Sequence, residues 1–321
     1  MPPELAVIIV SWNTRELTLD ALRTLLTDLE AHGPNTDVWV VDNASTDGSP
    51  DAIHSQFPQV RLIANDSNLG FAAGNNCALR AMGFSDQPGT GDSGQQPSAV
   101  YLLNSDTRTQ PGATRALYDA LLSLPRAGVV GAQLEYGDGT FQHSAFGFPG
   151  LRQMVVDLLP VPGRLHDSAF NGRYSRAAYD KGAPFPVDHT LGATMMLRRE
   201  AIQQTGLFDE GYFMYCEEID WSMRIRRAGW EIYTVPAARV THLAGQSTDL
   251  VRPQSIVNLW RSRIRLFSHH YTPLKLWLAR RLLRLGMQRQ IRLVKRSYEA
   301  GSLGRAERDA LIDAYRTVQT L

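Results

Sequence analysis

Ala6-Val7-Ile8-Ile9-Val10 runs without a polar break into Ser11-Trp12-Asn13. Two later stretches repeat the pattern. Val38-Trp39-Val40-Val41 leads into Asp42-Asn43-Ala44-Ser45-Thr46-Asp47-Gly48, and Ala99-Val100-Tyr101-Leu102-Leu103 leads into Asn104-Ser105-Asp106-Thr107. Short apolar runs that do not alternate with polar residues predict strands buried on both faces, as in a parallel sheet. In an open α/β sheet, ligands bind beyond the carboxyl ends of the strands. The amides and carboxylates after each run therefore stand where a nucleotide and a metal ion would be held.

Outward from these strands, the spacing predicts a helix over Thr14–Ala31, capped by Thr14, with Leu17, Ala21, Leu25 and Leu29 on one face. A helix begins near Ser49-Pro50, with proline in its first turn. A short strand at Val60–Ile63 precedes Asn68-Leu69-Gly70-Phe71-Ala72-Ala73-Gly74-Asn75-Asn76 and a helix through Leu79. Asp86–Ser98, rich in Gly, Pro, Ser and Gln, reads as a mobile surface insertion. A helix near Ala113–Ser123, a strand over Gly128–Leu134 and a hairpin turn at Gly137-Asp138-Gly139-Thr140 follow. Leu151–Pro186 reads as an irregular loop that orders on substrate binding. A late strand is expected at Ile232–Val235. Beyond Thr248 the chain reads as helical, with Pro273 opening a segment to about Tyr298 whose apolar residues are spread around the helix.

The 321 residues, 43% hydrophobic, suffice for one large α/β domain with an appendage. We divide them into a catalytic domain over 1–248 and a helical region over 249–321. Only two cysteines, Cys77 and Cys216, are present, which argues against a disulfide framework and fits a reducing, cytoplasmic compartment. No signal peptide is visible at the start, and no apolar run nears the roughly 18 residues of a transmembrane helix. The net charge of +1 hides an asymmetry. From Arg252 to Leu321 there are 15 Lys and Arg against 4 Asp and Glu, a net of +11, so the rest of the chain carries −10. No acidic residue occurs from Arg252 to Tyr298. Such a block suits an anionic membrane face, a pyrophosphate or a nucleic acid, and equally a solvated helical surface. No nucleic-acid-binding motif accompanies it, and that partner is not expected.

Several polar groups stand out. Asp42 ends a buried strand, where a carboxylate can accept from a pyrimidine N–H or ribose hydroxyls, or simply close an Asp/Asn turn. Asp106 suits a hard divalent cation bridging two phosphates, or a cap for the following helix. Five carboxylates, Asp209, Glu210, Glu217, Glu218 and Asp220, are interleaved with aromatics and would be costly to desolvate unpartnered. Adjacent carboxylates raise one another's pKa, which suits a general base, while some should pair with Arg224, Arg226 or Arg227. His242, before Gly245-Gln246-Ser247, reads as a structural group or as a metal or phosphate ligand.

Together with Gly192-Ala193-Thr194-Met195-Met196, Phe208-Asp209-Glu210, Met214-Tyr215-Cys216-Glu217-Glu218-Ile219-Asp220 and His242–Ser247, these motifs resemble the family 2 glycosyltransferases, most closely their bacterial rhamnosyltransferase-like branch. The resemblance covers about residues 5–250; each piece alone is weak, and eight in this order are specific. It implies an α/β GT-A fold (Rossmann-like, with a mostly parallel central sheet flanked by helices) plus a basic helical C-terminal extension. It implies a nucleotide-sugar donor, Mg²⁺ or Mn²⁺, and inversion at the anomeric carbon. The resemblance assigns nucleotide contacts to Ser11, Asn13, Asp42, Asn43, Asn68, Gly70, Asn75, Asn104 and Ser105. Asp106 matches the last acid of a metal-binding Asp-x-Asp whose first acid is here Asn104, and His242 matches a further metal or diphosphate ligand. Glu218 stands where the family has the base aspartate of a Glu-Asp pair, with Glu217 the other candidate. Asp188, Gly192, Ala193 and Trp221 would line the acceptor side. The branch resembled points to dTDP-rhamnose, with UDP-sugars open, and to a saccharide or polyprenyl-diphosphate-linked acceptor used in cell-surface polysaccharide synthesis. The basic C-terminal region would then touch the anionic inner face of the cell membrane. A nucleotide-sugar-binding module without turnover is the main rival. A nucleotidyltransferase is disfavoured because no glycine-rich phosphate loop follows the first strand, where Ser11–Glu16 stands.

Overall fold

A computed structural model describes residues 2–90, 94, 96–243 and 252–321. In chain order its elements are β1 (Leu5–Ser11), α1 (Arg15–His32), β2 (Thr36–Asp42), α2 (Ser49–Gln56), β3 (Arg61–Ala64), α3 (Gly70–Ala81), β4 (Ala99–Leu103), β5 (Thr107–Thr109), α4 (Ala113–Ser123) and β6 (Ala127–Glu135). Then come β7 (Phe141–Gln142), β8 (Ala145–Phe146), α5 (Leu151–Leu158), α6 (Arg176–Asp180), β9 (Phe185–Val187), β10 (His189–Thr190), β11 (Thr194–Arg198), α7 (Arg199–Thr205), α8 (Glu217–Arg227) and β12 (Glu231–His242). Three helices follow, α9 (Arg252–His270), α10 (Pro273–Glu299) and α11 (Arg305–Gln319). Part of the insertion expected at Asp86–Ser98, the Gly245-Gln246-Ser247 motif and the domain boundary at 248/249 lie outside the described residues.

The chain divides into two units. The first comprises Met1–Gly147, Tyr174–Phe213 and Glu217–Ser247. Its sheet has the order β3-β2-β1-β4-β11-β6-β12-β5, with β7 on β6 and β9 on β12. β1 pairs in parallel with β2 and β4, β2 with β3, and β6 with β12. β11 runs antiparallel to both of its neighbours, β4 and β6. The unbroken apolar runs follow from burial on both faces. Leu5, Val7 and Ile9 of β1 pack with Leu19, Leu22 and Leu25 of α1 and Leu117 and Leu121 of α4. Ala6 and Ile8 face the other way, into a cluster with Ala72, Ala78 and Leu79 of α3 and Trp221 and Ile225 of α8. Each of these Leu, Ile and Val side chains, taken fully out of water, contributes on the order of 1.5–3 kcal/mol.

The second unit comprises Phe148–Arg173, Met214–Cys216 and Thr248–Leu321. Trp260, Ile264 and Phe267 of α9 recur at helical spacing and pack with Ala279, Leu283 and Met287 of α10, Ala314 and Val318 of α11, and Met154 and Leu158 of α5. Gly286 permits the close approach of α10 to α5, since a Cβ there would stand 2.5 Å from Leu158 Cδ2. Pro273 opens α10 as expected, and Thr272 Oγ1 accepts from Lys275 N.

Three local expectations are corrected. The Leu151–Pro186 segment is not an irregular loop: it contains α5, α6 and β9. Met154 and Leu158, four residues apart, bury one face of α5, and Tyr179 of α6 lies edge-on to Phe141 and Phe185. Thr14 holds the N-cap position of α1 without capping it. Its hydroxyl faces Ser11, Thr18 and Ser105, and Arg15 N instead donates to Asp47 Oδ2 at 2.9 Å. Asn104–Asp106 does not cap the next helix, because β5 intervenes before α4.

A buried carboxylate ties two of these helices together. Asp28, 3% exposed on α1, accepts from Gly112 N and Thr114 N at the start of α4, where the helix dipole favours negative charge. Asp28→Ala would orphan both amides and is expected to cost about 1–3 kcal/mol. Thermal unfolding of the variant should show a midpoint lowered by several degrees.

Candidate active site

The register of the parallel strands sets the floor of the site. Ser11 of β1 lies opposite Asp42 of β2, so both runs end at one edge of the sheet. The loops beyond are laced together. Asn13, in the left-handed region at φ 50°, donates its N–H to Ser45 Oγ and accepts from Thr46 N, each at 2.8 Å. Asp42 is 1% exposed. Its Oδ2 accepts from Ser45 N at 2.8 Å, while its Oδ1 is buried with no hydrogen-bond partner among the described residues. A buried acceptor left in this state is costly unless a donor reaches it, and the N–H of a pyrimidine ring is such a donor.

Other residues expected to meet the nucleotide serve the scaffold. Ser11, 1% exposed, uses its hydroxyl on Thr18 Oγ1 at 2.8 Å and its carbonyl on Asn43 N. Asn43 donates to Gly70 O at 3.0 Å and accepts from Asn65 Nδ2 at 2.9 Å. Asn75, also buried, donates to Phe71 O one helical turn back. The side chains of Ser11, Asn43 and Asn75 thus hold the loops and α3 together, since buried polar groups must find partners. Asn68 Oδ1 accepts from Gly70 N at 2.9 Å, and Gly70 adopts φ +84°, where a Cβ would come within 2.2 Å of Phe213 O. Ser105 Oγ lies 3.3 Å from Thr14 Oγ1, and Asn104 N donates to Ala193 O at 3.0 Å.

Asp106 and His242 meet. β12 pairs antiparallel with β5, placing His242 opposite Thr107. His242 Nε2 lies 3.3 Å from Asp106 Oδ1, and Leu243 N donates to Asp106 O at 2.9 Å. On its other side, His242 Nδ1 lies 3.1 Å from Gln142 Oε1; in the tautomer that donates Nδ1–H to that oxygen, Nε2 is bare. A bare Nε2 would then face a carboxylate oxygen, lone pair to lone pair. The contact is favourable only with a positive charge between them, a proton or a metal ion. One carboxylate and one imidazole oriented by an outer amide fit a divalent cation.

The carboxylate cluster sorts itself by partner. Glu210 accepts from Arg80 Nη2 at 2.6 Å and Asn76 Nδ2 at 2.9 Å. Asn76 also exchanges hydrogen bonds with both backbone groups of Phe208, clamping Phe208-Asp209-Glu210 to α3. In the sequence Asn76 has no role of its own; it enters only as the last residue of the Asn68–Asn76 motif. Asp209 Oδ1 accepts from Gly211 N. Asp220 pairs with Arg224 at 2.9 Å, as the i,i+4 spacing suggested. Glu217 is buried, with Oε2 unpartnered among the described residues. Burial first, and then the neighbouring Glu218, push its carboxyl well above the ordinary value. It enters α8 from Tyr215 and Cys216, both at positive φ (70° and 67°), a strained entry for non-glycine residues. Glu218, half-buried, adjoins Gly192: a Cβ on Gly192 would lie 3.5 Å from Glu218 Cγ.

On the expected acceptor side, Asp188 N donates to Tyr174 OH at 3.0 Å. His189 beside it is buried and stacked on Phe146, and burial lowers its pKa to about 4. Ala193 is buried. Trp221 requires correction. It is wholly buried, its indole N–H donates to Thr205 Oγ1 at 3.0 Å, and its ring packs 4.3 Å from that of Phe208. It is a core residue with no surface for an acceptor.

The family described as Glycosyl transferase family 2 matches residues 6–206. The N-acetylglucosaminyl-diphospho-decaprenol L-rhamnosyltransferase of Mycobacterium tuberculosis is 34% identical over 215 residues, covering 66% of this chain and 67% of that protein. Among solved structures, GalNAc-T7 with UDP, GalNAc and Mn²⁺ aligns at TM-score 0.52 with 15% identity, over 75% of this chain and 44% of that one. The mannosyltransferase PcManGT of Pyrobaculum calidifontis, in complex with GDP-Man and Mn²⁺, aligns at 0.50 with 18% identity, over 100% and 87%. These two share the fold.

Glu217 gives a pH signature. Its folded pKa lies above the ordinary 4.5. The contribution of its neutral form is therefore complete below that pH and is lost as pH rises toward the folded value. Glu217→Gln removes this titration. Thermal melts between about pH 4 and pH 8 should show the variant gaining on the native protein as pH rises, with no gap at the acid end.

Proposed function

This chain belongs to glycosyl transferase family 2, has the GT-A fold and resembles the rhamnosyltransferases, and on that premise we propose that it moves L-rhamnose from dTDP-rhamnose, with inversion, to a polyprenyl-diphosphate-linked N-acetylglucosamine acceptor in cell-wall polysaccharide synthesis. The donor sugar and acceptor are taken from the mycobacterial relative's name. The observation that carries the reading is the meeting of Asp106 with His242, 3.3 Å apart beside the ends of the parallel strands.

Asp42 would accept the ring N–H of thymine through Oδ1, the atom left without a partner. Mg²⁺ or Mn²⁺ held by Asp106 and His242 would neutralise the charge that develops on the departing nucleoside diphosphate. Glu218 would take the proton of the acceptor hydroxyl, which attacks the anomeric carbon opposite the leaving group, so a β-linked donor gives an α-linked product. Glu217 suits this step less well, because a carboxyl kept neutral by burial has no free charge with which to accept a proton. Gly192, with no side chain beside Glu218, leaves room for a sugar ring to approach.

The test is a donor screen with the relative's class of acceptor, Mg²⁺ or Mn²⁺, and dTDP-, UDP- and GDP-sugars, following nucleoside diphosphate release. Turnover of dTDP-rhamnose is expected. Glu218→Gln should lower kcat by about 10²–10⁴-fold while leaving nucleotide binding intact, and Asp106→Ala should weaken metal-dependent binding of the donor. Turnover of a UDP-sugar alone would overturn the donor assignment. Full activity in Glu218→Gln would overturn the base.

A further inference from the structure

α10 carries two apolar faces, and the packing of its own unit uses one. Ala279, Leu283, Gly286, Met287 and Val294 are buried. On the other side Leu274, Trp277, Leu278 and Leu285 are 68%, 52%, 38% and 56% exposed. At 3.6 residues per turn these four form one stripe, with Arg281 in its middle. The Arg281 guanidinium sits 5.1 Å from the centre of the Trp277 ring. Toward the C-terminus the same stripe turns cationic, through Arg292 and Arg296, with Arg284 and Lys295 at its margins. Among the described residues, no helix is long and apolar enough to cross a membrane.

We propose that this face of α10 docks on a bilayer surface bearing anionic phospholipid. Leu274, Trp277, Leu278 and Leu285 enter the boundary between headgroups and acyl chains, and the arginines meet the phosphates. Charge complementarity selects this occupant. The stretch Arg252–Tyr298 contains no acid, so it complements an anionic surface, and a second copy docking through this same face would bring like charge against the stripe. An interfacial helix combines these features: leucines and a tryptophan at headgroup level, with cationic side chains whose alkyl stems lie along the apolar surface. The inference goes beyond the transferase reading and does not rest on it, because docking is measured with no sugar transferred.

The full chain is floated at low salt with vesicles of phosphatidylcholine, with and without phosphatidylglycerol. Binding to the anionic vesicles is expected. The double variant Trp277→Ser/Leu278→Ser should bind them at least about tenfold more weakly while unfolding at the native temperature, since both side chains are exposed. Equal binding by the variant would reduce the effect to bulk charge and overturn the role of the apolar stripe. Failure of the native chain to float would overturn the proposal. So would a native dimer, seen by sedimentation velocity, that the double substitution dissociates. Transfer to a soluble acceptor analogue, measured in parallel, is unaffected by the substitutions whichever way docking falls.

Discussion

The in-register parallel pairing of β1 with both β2 and β4 is the constraint on which the rest of the first unit depends. Ile8 stands opposite Trp39 on one side and Leu102 on the other, and Ser11 is level with Asp42. Three chains that enter a sheet in the same direction and at the same level must leave it along the same edge. Their polar continuations have no other place to go, since both faces of the sheet are covered by helices. The antiparallel strand β11 then completes the edge from the opposite direction. Because Thr194 pairs with Leu103, the residues that precede β11 arrive where β4 ends. Gly192 and Ala193 are brought to the edge in this way, and Asn104 fastens to Ala193. β12, locked to β5, delivers His242 to Asp106 by the same logic.

Electrostatics then decides which acids remain available. Glu210 and Asp220 are committed to Arg80 and Arg224. Both ion pairs also receive neutral donors, Asn76 for Glu210 and Tyr212 for Asp220, so the paired charges are well satisfied. Among the described residues Glu217 has no such cation, and burial drives it toward its neutral form instead. This contrast between neighbouring carboxylates separates acids fixed as charged counter-ions from one held toward its neutral form.

The sheet was legible in the sequence because its parallel strands are buried on both faces and therefore read as unbroken apolar runs, each closed by amides and acids. Asp42 and Asp106 could be picked out on that basis, whereas Glu218 came from the acidic cluster and His242 from its motif, each given a role by the resemblance. What could not be read depended on partners distant in sequence. Nothing in Ser11 or Asn75 distinguishes an amide or hydroxyl turned inward from one offered to a ligand, yet both are satisfied by their own surroundings. Trp221 stood among acids and looked accessible. Its place in the core is set by Thr205 and Phe208, sixteen and thirteen residues away. β5, three residues long, has too little pattern to register as a strand at all. α10 defied a simple amphipathic reading because one of its apolar faces packs inward and the other is left exposed.

The substitution of Asn104 for an acid has a consequence for how the ion and the donor would bind. Asp106 supplies one negative oxygen and His242 one neutral nitrogen. A small hard cation needs about six ligands and completes its shell from water and substrate phosphates when the protein offers few carboxylates. With a single carboxylate, this pair would hold the ion weakly by itself and firmly once a diphosphate shares it. Such coupling is reciprocal, so the ion would raise the affinity for the nucleotide-sugar by the same factor. A second acid at Asn104 would strengthen the bare ion site but repel the diphosphate that completes it. On the proposed reading, such a site would place the ion's binding energy at the leaving group, where charge would develop.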